Sequence, residues 1–305
     1  MSEVRRVGPE EFVELFERVK SWGRWGPDDQ RGALNYITPE KRAAATASVR
    51  KGRTVSLAMI LNKVPGLNNP QPAIHMMLRA GDLPDASSAA DFIGVAPHGI
   101  AVTHIDALCH FFHQGKMYNG YPISKVTSSG ALINSIEMMH EGVIGRGVLL
   151  DIARLKGVDY LQPGEPVYVE DLEAAEKAQN VRVEEGDILL VRTGRHNRPV
   201  EDERRIRDRL AGLYVTCGPW LHERRVAMIG GDAITDVIPS RVENVNTPLH
   251  VLSLVAMGVP LVDNCDFEAL SRACEEEGRW SFLFIVSPLV IPGGTASPVN
   301  PLAVF

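Results

Sequence analysis

Apolar residues recur along this chain at two different spacings, which predict two kinds of element. Helical spacing predicts an amphipathic helix over residues 9–22. A capping Thr38 followed by Pro39 begins a second helix, expected to reach about residue 49. Helices are also expected over residues 171–179 and 247–257, the latter ended by a glycine.

Short aliphatic runs bounded by turn residues predict strands. They cover residues 54–61, 76–79, 92–93, 101–106, 147–151, 188–193, 227–229, 259–262, 282–286 and 289–291. No repeat, low-complexity tract or linker interrupts this alternation. The economical interpretation is one mixed, sheet-rich α/β domain over residues 1–305.

Four of the nine histidines fall within residues 98–113, with an aspartate between them. If this segment forms a strand, His104 and Asp106 point to the same side, about 7 Å apart along it, and His98 and Ile100 share that side. An imidazole and a carboxylate so placed bind one divalent cation. His110 follows four residues after Asp106, close enough to move a proton near the metal.

The alternative for these residues is a purely structural role, since a lone strand histidine is usually a satisfied core residue. Here the flanking positions are apolar, which predicts a buried element. Buried histidines and carboxylates need partners. A metal-binding or catalytic role is therefore favoured for His104, Asp106 and His110.

Further ligands are expected from the last third of the chain. His250 lies in the first turn of a predicted apolar helix, and Asp263 ends the strand that leaves that helix. A helix–glycine–strand unit brings its two ends together, so both side chains could face one cation. Asp232 is a weaker candidate, either as a ligand or as a residue that orients a ligand histidine.

Composition narrows the class of protein. A net charge of −6 and a pI near 5.9 argue against nucleic acid or an anionic membrane as partner. No apolar run reaches the length of a transmembrane helix, and no signal segment opens the chain. The four cysteines form no CxxC pair, which favours a reduced, cytoplasmic enzyme.

The segment Ile100-Ala-Val-Thr-His104-Ile-Asp106-Ala-Leu-Cys-His110 resembles the hallmark of the bacterial kynurenine formamidase and cyclase family, His-x-Gly-Thr-His-x-Asp-x-x-x-His. The resemblance covers nearly the whole chain. It extends to residues 147–151, 186–194, 231–232, 250, 263–264 and 287 onward, while residues 25–29 and 118–120 resemble a longer cyclase-like branch.

The resemblance implies a swivelling β/β/α fold, a mixed barrel-like sheet flanked by helices, assembled as a homodimer or higher homo-oligomer. It implies that His104 and Asp106 are metal ligands, with Asp106 bridging where two ions bind. His110 would be the catalytic acid/base, and His250 with Asp263 would complete the ligands of the second ion.

This chain departs from the family pattern at two motif positions and one acidic ligand. The first histidine of the motif is Ile100, which cannot bind metal, and the motif glycine is Val102. His98, two residues earlier, could replace the missing ligand through a bulge near Gly99; otherwise the site has lost a ligand. The acidic ligand is Asp263, where the family commonly has glutamate.

The leading hypothesis is a hydrolase that cleaves a small amide, formamide or lactone bond with Zn²⁺ or Mn²⁺, resembling the arylformamidase of tryptophan catabolism to kynurenine. Trp25, Phe111 and Tyr118 are predicted to bind an aromatic or cyclic small-molecule substrate. The alternative is a metal-free binding protein of the same fold. A serine or cysteine hydrolase is disfavoured because there is no Gly-x-Ser-x-Gly turn and Cys109 lies in an apolar run.

Overall fold

The computed structural model describes residues 6–82, 84–199 and 209–305. In these ranges the helices are α1 (Pro9–Val19), α2 (Pro39–Ala47), α3 (Ile152–Leu155), α4 (Val169–Ala178), α5 (Gly218–Glu223), α6 (Pro248–His250) and α7 (Glu268–Glu277). A π-helix, Val251–Met257, continues α6. No helix in the described part of the chain is long and apolar enough to cross a membrane.

The strands of the described ranges are β1 (Thr54–Ser56), β2 (Ile74–Arg79), β3 (Ala90–Gly94), β4 (His104–Asp106), β5 (Val126–Thr127), β6 (Gly130–Ala131), β7 (Val143–Asp151), β8 (Pro166–Val167), β9 (Ile188–Arg192), β10 (Gly212–Leu213), β11 (Met228–Gly231), β12 (Leu261–Asp263), β13 (Ser281–Val286), β14 (Ala296–Pro298) and β15 (Leu302–Val304). Nine of them form one sheet in the order β1-β15-β13-β7-β9-β11-β12-β4-β14. The sheet curls into a half-barrel flanked by helices, the mixed α/β architecture that the sequence predicts.

The centre of the sheet is parallel and covered on both faces. β7, β9, β11 and β12 pair in parallel, and such strands are apolar almost throughout. Along β9, Leu189 faces the apolar cluster that α1, α4, α5 and the π-helix complete. Its neighbour Leu190 faces the opposite cluster, to which α7 contributes. Burial on both faces explains the continuous apolar run of β9.

Three predicted strands are corrected by the structure. The strand predicted over residues 54–61 ends at Ser56, because the Met59 amide donates to the Thr103 hydroxyl and Ile60 and Leu61 are exposed. Residues 289–291 form no strand, because their apolar side chains stay exposed and the Leu289 amide donates to the Ser297 hydroxyl instead of a sheet partner. The strand predicted over residues 101–106 shrinks to β4. The residues before it form a bend, whose carbonyls at Ile100 and Val102 accept from the Arg195 and Asn264 side chains.

The three residues of β4 owe their position to distant parts of the chain. β4 pairs antiparallel with β12 on one side and with β14 on the other. A two-stranded ribbon of β2 and β3 precedes it and is not part of the large sheet. β4 is therefore held where the parallel part of the sheet meets its antiparallel edge.

Candidate metal centre

Strand pairing places one imidazole and two carboxylate side chains on one face of the sheet. Asp263 of β12 lies directly opposite His104 of β4, and directly opposed residues share a face. Asp106 projects from the same face, while Ile105 between them packs into the opposite apolar cluster. His104, Asp106 and Asp263 are each at most 2% exposed. Each offers a ligand atom within 4.8 Å of the others.

Two further histidines reach Asp106 from the loops around β4. His98 Nδ1 lies 3.1 Å from Asp106 Oδ1, and His110 Nε2 lies 3.9 Å from the same oxygen. The two rings stack, with centroids 3.7 Å apart and planes at 13°. His98, Asp106 and His110 form a second group of atoms close enough to hold one ion. Asp106 belongs to both groups.

His250 approaches the cluster from the end of α6. Its Nε2 lies 3.3 Å from Asp263 Oδ2 and 3.8 Å from Asp106 Oδ2. His104 Nε2 lies 3.4 Å from Asp106 Oδ1. Besides His110 Nε2, three imidazole nitrogens, from His98, His104 and His250, thus converge on the carboxylate of Asp106.

The remote nitrogen of each converging ring is hydrogen-bonded. His104 Nδ1 lies 2.9 Å from the Val102 carbonyl, and His250 Nδ1 lies 2.5 Å from Asp236 Oδ2. Both partners only accept, so both Nδ1 atoms carry the proton and donate it. The Nε2 atoms are thereby the ring nitrogens that face the cluster. His98 Nε2 lies 3.0 Å from the Thr295 hydroxyl.

Several buried polar atoms of the cluster make no hydrogen bond. They are both carboxylate oxygens of Asp106, Oδ2 of Asp263 and Nδ1 of His98. Leaving such atoms buried without partners costs free energy. A divalent cation would satisfy them, and mixed imidazole and carboxylate donors suit Zn²⁺ or Mn²⁺. The residues present fit a metal ion.

Proximity shifts the pKa values of these groups in opposite directions. Burial lowers the pKa of His104, but the Asp106 carboxylate outweighs it and raises that pKa to about 9. Burial also acts to lower the pKa of His250, but the Asp236 and Asp263 carboxylates outweigh it and raise that pKa. Burial lowers the pKa of His110 to about 4, helped by the neighbouring histidines and opposed by Asp106. His110 is therefore a neutral imidazole at neutral pH, able to accept a proton.

The route of the chain to His98 differs from the expectation. Ile100 does not share the site-facing side of a strand; it packs with Leu210 and Ala233 in a small apolar cluster. The backbone turns at Gly99, whose φ of +115° a residue with a side chain rarely adopts. This turn in a bend, rather than a bulge in a strand, directs His98 towards Asp106.

Of the three aromatic residues predicted to bind substrate, Phe111 is beside the cluster. Its ring centroid lies 4.9 Å from that of His250 and 4.8 Å from that of His110. Tyr118 is fully buried in the core and donates its hydroxyl to Asp29, so it has no surface to offer a substrate. Trp25 packs edge-on against Tyr36, with centroids 5.0 Å apart.

Asp232 neither faces the cluster nor orients a histidine. Its carboxylate accepts from the backbone amides of residues 193–195 and from the Thr193 hydroxyl. The residue that orients His250 is Asp236, which the sequence analysis missed. The available signal was a second aspartate four residues after Asp232, in the long loop between β11 and the helix that carries His250.

The family profile described as "Putative cyclase" matches residues 63–235, more than half of the chain. A solved structure described as a novel cyclase is 34% identical, covers 94% of this chain and 99% of its own, and superposes with a TM-score of 0.85. The chain belongs to the cyclase family.

More distant solved structures share the fold. Isatin hydrolase A from Labrenzia aggregata is 20% identical, covering 88% of this chain and 98% of its own, with a TM-score of 0.62. A predicted metal-dependent hydrolase from Bacillus stearothermophilus is 14% identical, covering 83% and 98%, with a TM-score of 0.51. A search of curated proteins gave no match. The family match ends before His250 and Asp263, so those two rest on the geometry described above.

Proposed function

We propose that this protein is a metal-dependent hydrolase of a small amide, formamide or lactone. The observation that carries the proposal is the convergence of three imidazole nitrogens besides that of His110, and of Asp263, on Asp106, whose two buried oxygens have no hydrogen-bond partner. The solved relatives described as an isatin hydrolase and a metal-dependent hydrolase support the same class of reaction.

His104, Asp106, His250 and Asp263 would hold the metal, with His98 taking the place of the family histidine that is Ile100 here. The distance of 3.1 Å between His98 Nδ1 and Asp106 Oδ1 supports that replacement. The chemistry that a bound Zn²⁺ or Mn²⁺ supplies is polarisation of the scissile carbonyl and ionisation of a water molecule near neutral pH.

His110 is proposed as the general acid and base. Its Nε2 lies 3.9 Å from Asp106 Oδ1, so it is placed to accept the proton of a water molecule that attacks from beside that carboxylate. The same nitrogen then returns the proton to the departing nitrogen or oxygen of the substrate. Stacking on His98 fixes the orientation of the ring during both transfers.

Phe111 supports an aromatic or cyclic substrate. Its ring lies against both His110 and His250, where it would contact a flat substrate and keep water from its far side. Because Tyr118 and Trp25 pack against other residues, the proposal assigns substrate contact to Phe111 alone among the three.

The test combines metal analysis with a panel of substrates. Protein purified without chelator is assayed for Zn and Mn and then against aryl formamides, lactones and cyclic amides, with isatin among them. The expected result is at least about one equivalent of metal, and a hydrolysis that chelator abolishes and added metal restores. A protein that binds no divalent ion near neutral pH would overturn the proposal and favour a metal-free binding protein of this fold.

A further inference from the structure

We infer that Thr235 and Asp236, in the loop after β11, position two of the proposed metal ligands, Asp263 and His250. The inference rests on the metal site proposed above and adds the residues that set its geometry. Neither residue contacts Asp106 by any described hydrogen bond or ion pair, and both are at most 4% exposed. They are positioning residues.

Asp236 accepts three hydrogen bonds from α6, two of them from His250. One carboxylate oxygen accepts from the Leu249 amide at 2.7 Å. The other accepts from the His250 amide at 3.0 Å and from the His250 ring at 2.5 Å. A single carboxylate therefore fixes both the start of α6 and the rotation of the imidazole. Because it accepts the Nδ1 proton, Nε2 is left to face Asp263 and Asp106.

Thr235 orients the Asp263 carboxylate as Asp236 orients the His250 ring. Its hydroxyl donates to Asp263 Oδ1 at 2.8 Å. The other oxygen, Oδ2, is buried without a hydrogen bond and lies 3.3 Å from His250 Nε2. The hydroxyl thus occupies one oxygen of this short carboxylate and directs the other at the site.

The loop that carries both residues is itself fixed on two sides. The amides of Asn264 and Cys265, just after β12, donate to the carbonyls of Ala233 and Gly231. The Leu213 amide donates to the Thr235 carbonyl at 2.9 Å. Tied to β12 and β10, the loop holds its side chains in place before any ion arrives, which lowers the entropy lost on binding.

The chain offers a matched control for each residue. Thr193 is a buried threonine that donates to a buried aspartate, Asp232, as Thr235 donates to Asp263, but within the described residues neither Thr193 nor Asp232 forms a hydrogen bond or ion pair with a proposed metal ligand. The test pairs are therefore Thr235→Val with Thr193→Val and Asp236→Asn with Asp232→Asn. Asparagine keeps the size of the aspartate side chain, but its N–H faces one of the donors from which the carboxylate accepted a hydrogen bond.

The experiment measures Zn²⁺ affinity by competition with a chelator and the melting temperature of the metal-free protein. Thr235→Val and Asp236→Asn are expected to weaken Zn²⁺ binding by about 10- to 100-fold. Thr193→Val and Asp232→Asn are expected to lower the melting temperature while the folded protein keeps the affinity of the parent. Proton NMR of the zinc-loaded parent is expected to show a deshielded imidazole N–H proton that disappears in His250→Gln. The same signal is expected to be lost in Asp236→Asn.

The outcomes separate this inference from the proposed function. Parental affinity in both Thr235→Val and Asp236→Asn, or an equal loss in the control variants, would overturn the positioning roles while leaving the metal site intact. If Asp236→Asn does not fold, Thr235→Val and the N–H signal of the parent decide the matter. A parent that binds no Zn²⁺ would overturn the proposed site and this inference together, and a parent that binds it without hydrolysing any substrate would overturn only the hydrolase.

Discussion

Asp263 faces His104 directly across the antiparallel pair formed by β12 and β4. This pairing joins the histidine-rich segment of the chain to the segment that carries His250. The site therefore depends on strand register, since a slip of one residue would turn Asp263 or His104 to the opposite face.

Removing a ligand from β4 should remove the metal. His104→Ala and Asp106→Ala are each expected to abolish stoichiometric Zn²⁺ or Mn²⁺ binding, because both side chains lie on the face shared with Asp263. Metal content after dialysis and the rise in melting temperature on adding metal measure this. A variant that still binds as tightly as the parent would show that the substituted residue is not a ligand.

Removing His110 should separate catalysis from metal binding. His110→Ala is expected to retain its metal and lose about 10²-fold or more in turnover, the usual scale for a general acid and base. Metal content and steady-state rates are measured on the same preparation. Equal loss of metal and activity would make His110 a ligand, and unchanged turnover would make it structural.

The local half of the site could be predicted from sequence, and the tertiary half only in part. His104 and Asp106 are two residues apart on a strand, so their common direction follows from strand geometry alone. His250 and Asp263 were predicted from polar positions at the ends of apolar elements. The direction of Ile100 was wrong because Arg195 and Asn264, distant in sequence, hold its backbone in a bend.

The fold was predicted better than the hydrogen bonds that orient the side chains of the site. Apolar runs fixed the order of most helices and strands, since parallel strands buried on both faces are nearly continuous in hydrophobic sequence. Asp236 gave no such signal, because its hydrogen bonds to His250 depend on where the loop after β11 lies. Of the two roles expected of Asp232, to bind metal or to orient a ligand histidine, the second describes the contacts that Asp236 makes with His250.

A buried ion pair at the end of β9 should be important for stability. The Arg192 guanidinium binds Asp151 at 2.8 Å and both oxygens of Glu268 at 2.8 and 2.9 Å. Arg192→Met leaves the buried Asp151 without this cation and is expected to lower the free energy of unfolding by about 3–5 kcal/mol. Breaking the exposed Arg18–Glu223 pair with Arg18→Met should cost less than about 1 kcal/mol. Urea unfolding of both variants checks this, and equal losses would contradict it.

Asp187 should make stability fall as pH rises. Burial raises its pKa to about 6, although Arg146, 2.8 Å away, opposes the shift. The folded state thus holds the Asp187 proton more tightly than the unfolded chain does. The resulting contribution to the free energy of unfolding is present below about pH 4 and is lost as pH rises through about 6. The parent is expected to lose at most about 2–3 kcal/mol over this window relative to Asp187→Asn. Urea unfolding of both proteins at about pH 4 and about pH 7 measures the difference, and a difference independent of pH would contradict it.

The position of β4 has a consequence for the order in which this molecule assembles. Its three residues pair only with β12 and β14, both of which come far later in the chain. Closing so long a loop costs entropy before any contact repays it, so contacts of this kind form slowly. An ion bound between His104 and Asp263 would link the two ends of that loop. Metal occupancy would then report that this long-range closure of the chain is complete.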